Sequence, residues 1–235
     1  MDEDTRGLKI AVGYSLDWCI AQGVRITPLM AEKAVRFEIK TQDFYNRVLM
    51  TWVNDLYTKE VTEAEFVDKM AEVIDQQLTR AWNEGMRAND LDPSEMTEEQ
   101  FATLQDIIAN EYMFVDQFAA DIASGNYTLP QLQARAGVWA NRYNDVANQA
   151  KLETAELKDK YIWVYGDTEH CDTCARLNGL VATAKEWSIA GIKPQSPPND
   201  RLDCGGWRCK CELKPTDKRR STKVLDTLLT IGAGG

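Results

Sequence analysis

The sequence predicts a mainly α-helical protein, a helical bundle or a set of long helical hairpins, followed by a small α+β module with short strands. Apolar residues recur at helical spacing through roughly the first 155 residues. Beyond them lie a short β-branched and aromatic run, most of the prolines, and five of the six cysteines. We therefore expect a helical domain over 1–155, a cysteine-rich zinc-knuckle module over 156–214, and a basic and then apolar tail over 215–235.

Apolar rows define the core faces of the first two predicted helices. The first helix ends at Tyr57, and the second begins at a capping box of Thr62 and Glu65 and stops near Gly85. The two rows are Phe44, Val48, Trp52 and Leu56 in the first helix, and Phe66, Met70, Ile74, Leu78 and Trp82 in the second. At this spacing we expect the aromatic side chains to pack in a core rather than to bind a ligand.

The next two helices also begin at capping signals. Start signals overlap at 92–95 and 97–100, and a further capping box at Thr128 and Gln131 opens the last helix. The third helix is expected to bury Phe101, Leu104, Ile108, Tyr112, Val115, Ala119 and Ile122, and the fourth Leu132, Ala136, Trp139, Tyr143, Val146 and Ala150. No heptad persists, so a bundle is favoured over a coiled coil.

Charge is distributed unevenly along the chain. The net charge is −10, which argues against broad phosphate binding by the whole chain, yet 201–223 carries eight lysines and arginines against three acids. This segment is either a solvated tail or a surface for nucleic acid or an acidic partner. No run approaches the ~20 apolar residues that span a bilayer, so no membrane partner is expected. The acidic start at 1–5 is unlike a secretory signal, which predicts folding in the cytosol.

The cysteines point to a metal. Cys19 stands alone in an apolar stretch and is expected to be a small buried hydrophobe. The C-terminal module starts near Lys160 with a strand over 161–165, and its roughly 50 residues are too few for a robust core without a staple. Its cysteines are Cys171, Cys174, Cys204, Cys209 and Cys211. In a reducing compartment such a cluster favours a structural zinc site over disulfides or unliganded thiols, which remain the two alternatives.

Five candidate ligands exceed the four places around one zinc ion. The C-x-x-C pair of Cys171 and Cys174 is the firm half, and the other three cysteines compete for the remaining two places. Cys209 and Cys211 would point to the same face of a strand. His170 is the only histidine, and Cys171 beside it is expected to crowd it out of the ligand set.

Motifs of common enzymes are missing from the sequence. There is no H-E-x-x-H, no zinc-deaminase order, no phosphate-binding glycine loop and no G-x-S-x-G elbow. Thiolate ligands that fill every place around a zinc ion leave no open position for a reacting water. We therefore expect a protein that is not an enzyme.

The C-terminal module resembles the phage head morphogenesis family, the Mu F-like minor head proteins. Members pair an E-H-C-x-x-C-x-x-L-x-G segment with a later proline-rich turn and a terminal C-x-C. Here Glu169-His170-Cys171 begins such a segment, three prolines lie over 194–198, and Cys209-Lys-Cys211 closes it. The helix over 135–147 also looks like the family's lead-in, so the resemblance covers about 130–214.

The resemblance implies a structural role in the virion. Such proteins are minor head components that act in head assembly, with the portal and major capsid proteins as partners, first in the host cytoplasm and then in the virion. The basic C-terminal segment is a candidate contact for packaged DNA. Where many members carry a histidine, this chain has Cys204, which implies a ligand set of Cys171, Cys174, Cys204 and one of Cys209 or Cys211. The alternative function is a zinc-containing nucleic-acid-binding or regulatory module.

Overall fold

The protein is mainly helical, with a three-stranded antiparallel sheet toward its C-terminus, which confirms the predicted fold class. The structure is a computed structural model and describes residues 41–207, 209–222 and 224–231. Cys19 and the apolar stretch around it lie outside the described residues. Among the helices described, none is both long enough and apolar enough to cross a bilayer.

In the part of the chain that the structure describes, five helices precede the sheet, and they are built around the long pair α2 and α5. The helices are α1 (Thr41–Tyr57), α2 (Glu63–Arg87), α3 (Glu98–Tyr112), α4 (Val115–Ala123) and α5 (Leu129–Glu153), with a 3-10 turn at Pro93–Glu95. Helices α1 and α2 both pack along α5. The first hydrophobic core lies among these helices and draws its buried residues from 45–150.

The C-terminal part folds around a small sheet. Its elements are β1 (Lys160–Val164), α6 (Asp172–Leu177), β2 (Val181–Thr183), α7 (Ala184–Ala190), β3 (Glu212–Pro215) and α8 (Val224–Thr230). Strand β1 is central and pairs antiparallel with both neighbours, so that Tyr161 lies opposite Ala182 and Pro215. A second hydrophobic core, drawn from 152–231, covers this sheet.

The predicted helix starts are confirmed by their hydrogen bonds. Thr62 Oγ1 accepts the Glu65 N–H at 3.2 Å, and Glu65 Oε2 accepts the Thr62 N–H at 2.8 Å. Gln131 Oε1 accepts the Thr128 N–H at 2.9 Å at the start of α5. These bonds satisfy backbone donors that the first helical turn leaves without partners, which is why the capping signals locate the helices well.

The predicted core faces of α2 and α5 are confirmed, whereas that of α1 is shifted by one residue. Every residue of the two predicted rows in α2 and α5 is buried. In α1 the fully buried residues are Tyr45, Leu49 and Val53, while Phe44, Val48 and Trp52 of the predicted row are only half-buried, and Leu56 is buried. Two adjacent apolar rows run along α1, and packing against α5 selects one of them.

The third predicted helix is interrupted, and the prediction that Phe101 is its first core residue is wrong. Helix α3 ends at Tyr112, and α4 begins at Val115 after a break of two residues. Phe101 is 55% exposed, whereas Phe118, which the predicted row omitted, is fully buried with its ring centroid 5.1 Å from that of Trp139. The break lets α3 and α4 each present its own face to the core, which one continuous helix would not do.

Gly85 does not end α2, as the sequence suggested. The helix continues to Arg87, and Gly85 lies inside it where α2 crosses α5. A Cβ at this position would lie 2.4 Å from the Ala147 carbonyl oxygen and 2.6 Å from the Ala150 Cβ. Gly85 therefore serves close helix packing.

The apolar end of the predicted tail belongs to the second core. Val224, Leu228 and Ile231 of this segment are buried. The Arg201 guanidinium donates to the Leu228 carbonyl at 2.9 Å, which anchors the end of α8 to the loop that precedes Cys204. The segment after β3 thus closes over the module that carries the cysteines.

Candidate metal centre

The structure brings all five clustered cysteines together at one edge of the second core. Cys171 is the N-cap of α6, Cys174 lies in its first turn, and Cys204 lies in a turn of the loop before β3. Cys209 and Cys211 lie just before β3 and not on a strand, so the shared strand face considered for them does not apply. All five are free thiols, with those of Cys174 and Cys211 buried and the others half-buried.

Helix α6 is joined to the loop of Cys204 by a reciprocal pair of hydrogen bonds. Asp203 Oδ2 accepts the Thr173 N–H at 2.8 Å, and Thr173 Oγ1 accepts the Asp203 N–H at 3.2 Å. Thr173 is fully buried, so these bonds fix the distance between the two chain segments that supply thiols. The sequence reasoning missed this pair, because a threonine within C-x-x-C and an aspartate 30 residues later have no local signal.

Glycines allow the backbone to close around the sulfurs. A Cβ on Gly166 would lie 1.8 Å from the Lys210 carbonyl oxygen, so the end of β1 and the Cys209–Cys211 segment are in direct backbone contact. Gly206 has a φ of +79°, and a Cβ there would lie 2.9 Å from the Ser196 carbonyl. Both N–H groups interact with sulfurs, that of Gly166 with Cys211 and that of Gly206 with Cys204.

The sulfur atoms form two groups of three that share one member. In one group the sulfurs of Cys171, Cys174 and Cys204 lie within 4.8 Å of one another. In the other group the same holds for the sulfurs of Cys174, Cys209 and Cys211. Either group can hold a metal ion, and Cys174 is the sulfur common to both.

Ionisation of these thiols is strongly unequal. Contacts with the thiols of Cys174 and Cys209 lower the pKa of Cys211 to about 3, and the Gly166 N–H supports its charge. Contacts with the thiols of Cys209 and Cys211 raise the pKa of Cys174, while burial raises the pKa of Cys204 to about 11. One sulfur thus becomes a thiolate at the expense of its neighbours, and holding several thiolates this close together needs a cation.

Backbone and indole donors also point at the sulfurs. Burial raises the pKa of Cys171, but the N–H groups of Cys174 and Cys204 outweigh it and lower the pKa overall. The Cys174 N–H lies 3.4 Å from the Cys171 sulfur. Trp163 is fully buried, and its indole N–H is one of the groups that lower the pKa of Cys211. Such donors are typical of the surroundings of a metal-bound thiolate.

His170 lies beside the cluster and not inside either group. Its Nδ1 is 3.8 Å from the Cys211 sulfur, and its ring stacks on Tyr165 with centroids 3.7 Å apart. The sequence placed His170 next to Cys171 and expected crowding there. The fold instead turns the ring toward Cys211.

The donor set fits zinc. Zinc binds cysteine thiolates at about 2.3 Å in a tetrahedral site. The four ligands of such a site are supplied as pairs from separate chain segments. Here the segments are 171–174 and 204–211, which meet at one edge of the second core. The arrangement is suited to joining these segments, and bound zinc would stabilise their contact. Comparison with known proteins returned no match among family models, curated proteins or solved structures.

Proposed function

We propose that this chain is a phage minor head protein that acts in head morphogenesis, with a C-terminal module held together by structural zinc. One observation carries this proposal. The two motif segments on which the resemblance rests, 169–174 and 204–211, are distant in sequence and supply one cluster of thiols in the fold. A helical body joined to such a module suits a part that contacts the portal and major capsid proteins during assembly in the host cytoplasm and then stays in the virion.

Zinc acts in this proposal by stabilising the module. Cys174 and Cys211 are members of both the thiol cluster and the second hydrophobic core. Because metal and core share these residues, binding of zinc and packing of the core stabilise each other. No catalytic step is assigned to the chain.

Co-expression with portal and major capsid proteins tests the proposed role. We expect the zinc-loaded chain to co-purify with the portal ring or with assembling capsids. The Cys174→Ser variant should lose this association together with its zinc, whereas Cys19→Ser, which removes a cysteine outside the cluster, should keep both. Failure of the zinc-loaded wild-type chain to associate with either protein would contradict the role in head assembly.

Packaged DNA is a further proposed partner, and one surface feature favours it. Trp207 is 43% exposed beside the cysteine cluster, and Lys210 is exposed nearby. By contrast, Arg220 of the basic segment pairs with Glu186, its Nε lying 2.9 Å from the carboxylate. An exposed aromatic ring next to a lysine can stack on unpaired bases, which is worth about 1–3 kcal/mol per base.

A binding titration against salt tests the contact with DNA. We expect single-stranded DNA to bind at low salt and to dissociate as salt rises. Trp207→Ala should weaken binding by roughly 5- to 150-fold. Tyr57→Ala, which removes a similarly exposed aromatic ring from the end of α1, should leave binding unchanged. An absence of binding at low salt would rule out this stacking contact with DNA.

A further inference from the structure

The arrangement of the five sulfurs sets a limit on how one ion can be bound. Cys174 belongs to both groups of three; we call the pair that joins it in one group, Cys171 and Cys204, one side of the cluster, and the pair in the other group, Cys209 and Cys211, the other side. The two sulfurs of each side are no more than 4.8 Å apart. A pair with one sulfur from each side, in contrast, does not form a further set with Cys174 in which all sulfurs lie within 4.8 Å of one another. Every such pair is therefore separated by more than 4.8 Å.

Two sulfurs bound to the same zinc ion cannot be so far apart. With zinc–sulfur bonds of about 2.3 Å, the greatest possible separation is about 4.6 Å, and a tetrahedral site brings it to about 3.8 Å. Each group of three can close on one ion with small side-chain movements. A four-sulfur site needs sulfurs from both sides, so it requires sulfurs of opposite sides to lie closer together than they do in this structure.

We propose that the cluster binds two zinc ions that share the Cys174 thiolate. One ion is held by Cys171, Cys174 and Cys204, and the other by Cys174, Cys209 and Cys211. This assignment rests on the proposed metal function of the cluster. It uses all five cysteines, whereas a single four-cysteine site leaves one of them without a role.

His170 lies outside the second group, because its ring nitrogens are not within 4.8 Å of all three of that group's sulfurs. Its Nδ1 lies 3.8 Å from the Cys211 sulfur, so it is a neighbour of the site and not one of its ligands. The ring is oriented by its stacking on Tyr165. Cys171 and Cys204 in one group and Cys209 in the other are half-buried, so each ion takes its fourth ligand from solvent.

Charge also favours a second ion. Five thiolates around one zinc ion leave several negative charges in a partly buried site, which is unfavourable. A second divalent ion offsets two of these charges. The N–H groups of Gly166 and Gly206, which interact with Cys211 and Cys204, support the remainder on both sides of Cys174.

Native mass spectrometry of the full chain purified with zinc tests this inference. We expect two zinc ions per wild-type chain. Cys204→Ser and Cys209→Ser should each reduce the content to one ion, because each removes a ligand from one side only. Cys174→Ser should reduce it below one, and Cys19→Ser should retain two.

The outcomes separate this inference from the proposed zinc function. One ion per wild-type chain, lost in four of the five cluster variants and kept in the fifth, overturns the two-ion site and retains the zinc staple. A wild-type chain without zinc overturns both. His170→Ala provides a second measurement that does not remove a thiol: it should retain two zinc ions, and loss of an ion in this variant would contradict the assignment of three thiolates to each ion.

Discussion

Replacing Gly166 by alanine is the sharpest test of how the backbone shapes the metal centre. Gly166 follows β1 and packs against the backbone of Lys210, between the two cysteines that precede β3. The added Cβ would lie 1.8 Å from the Lys210 carbonyl oxygen and 2.3 Å from its carbonyl carbon. Both are backbone atoms, so rotation of a side chain cannot relieve the contact.

The size of the effect follows from these distances. An ordinary carbon contact begins at about 3.4 Å, so the segment that carries Cys209 and Cys211 must move by roughly 1.5 Å. Metal–ligand distances tolerate only about 0.2 Å, so the second group of three sulfurs can no longer close on an ion. Overpacking of this kind also costs about 1–3 kcal/mol of folding stability.

A competition titration against a zinc indicator measures the loss. We expect Gly166→Ala to lower zinc affinity by roughly 10- to 100-fold, as displacement of supporting groups around a metal site commonly does. Gly137→Ala is the matched control, because among the described residues outside its own stretch of helix the nearest atom to its added Cβ is Asn46 Oδ1 at 4.0 Å. The control should bind zinc as the wild type does. Unchanged affinity in Gly166→Ala would refute the close backbone contact as a determinant of the site.

Three further results are expected. Gly85→Ala should destabilise the helical body by about 1–3 kcal/mol in urea unfolding, while Gly137→Ala should stabilise it by up to about 1 kcal/mol. Hydrogen bonds from Arg220 and Thr183 lower the pKa of Glu186 in the folded state. The ionised Glu186 therefore stabilises the fold at pH values above its unfolded-state pKa, and this stabilisation is lost as the pH falls through its folded-state pKa. Glu186→Gln should be less stable than the wild type at pH 7, and the difference in unfolding free energy should shrink as the pH is lowered. Chelation of zinc should expose the second core to protease and leave the first core protected, and simultaneous loss of both would contradict separate cores.

Much of the fold can be predicted from local signals. The starts of α2 and α5 follow from side chains that bond to the backbone three residues away, and their core rows follow from simple periodicity. The prediction for α1 was wrong because two apolar rows lie side by side, and only the position of α5 decides between them. Gly85 misled for a related reason: a glycine that ends a helix and one that admits a neighbouring helix look the same in sequence.

The candidate metal centre was likewise predictable from the sequence only in part. Clustering of the five thiols was evident from spacing and composition, and the structure brings them together. Their division around Cys174 was not evident, because it depends on contacts between distant segments. Thr173 with Asp203 sets one side, and Gly166 with Lys210 sets the other. Neither pair has a pattern that one sequence reveals.

The thiol cluster is also connected to the helical body through strand β3. Cys211 directly precedes β3, and the Lys151 ammonium near the end of α5 donates to the Leu213 carbonyl at 3.1 Å. Next to this contact, the Asn89 side chain donates to the Lys151 carbonyl at 2.7 Å, which joins the end of α2 to the same point. Cys211 therefore lies next to a strand that is hydrogen-bonded to α5. The thiol cluster is thus joined, through this strand, to the point where the ends of α2 and α5 meet.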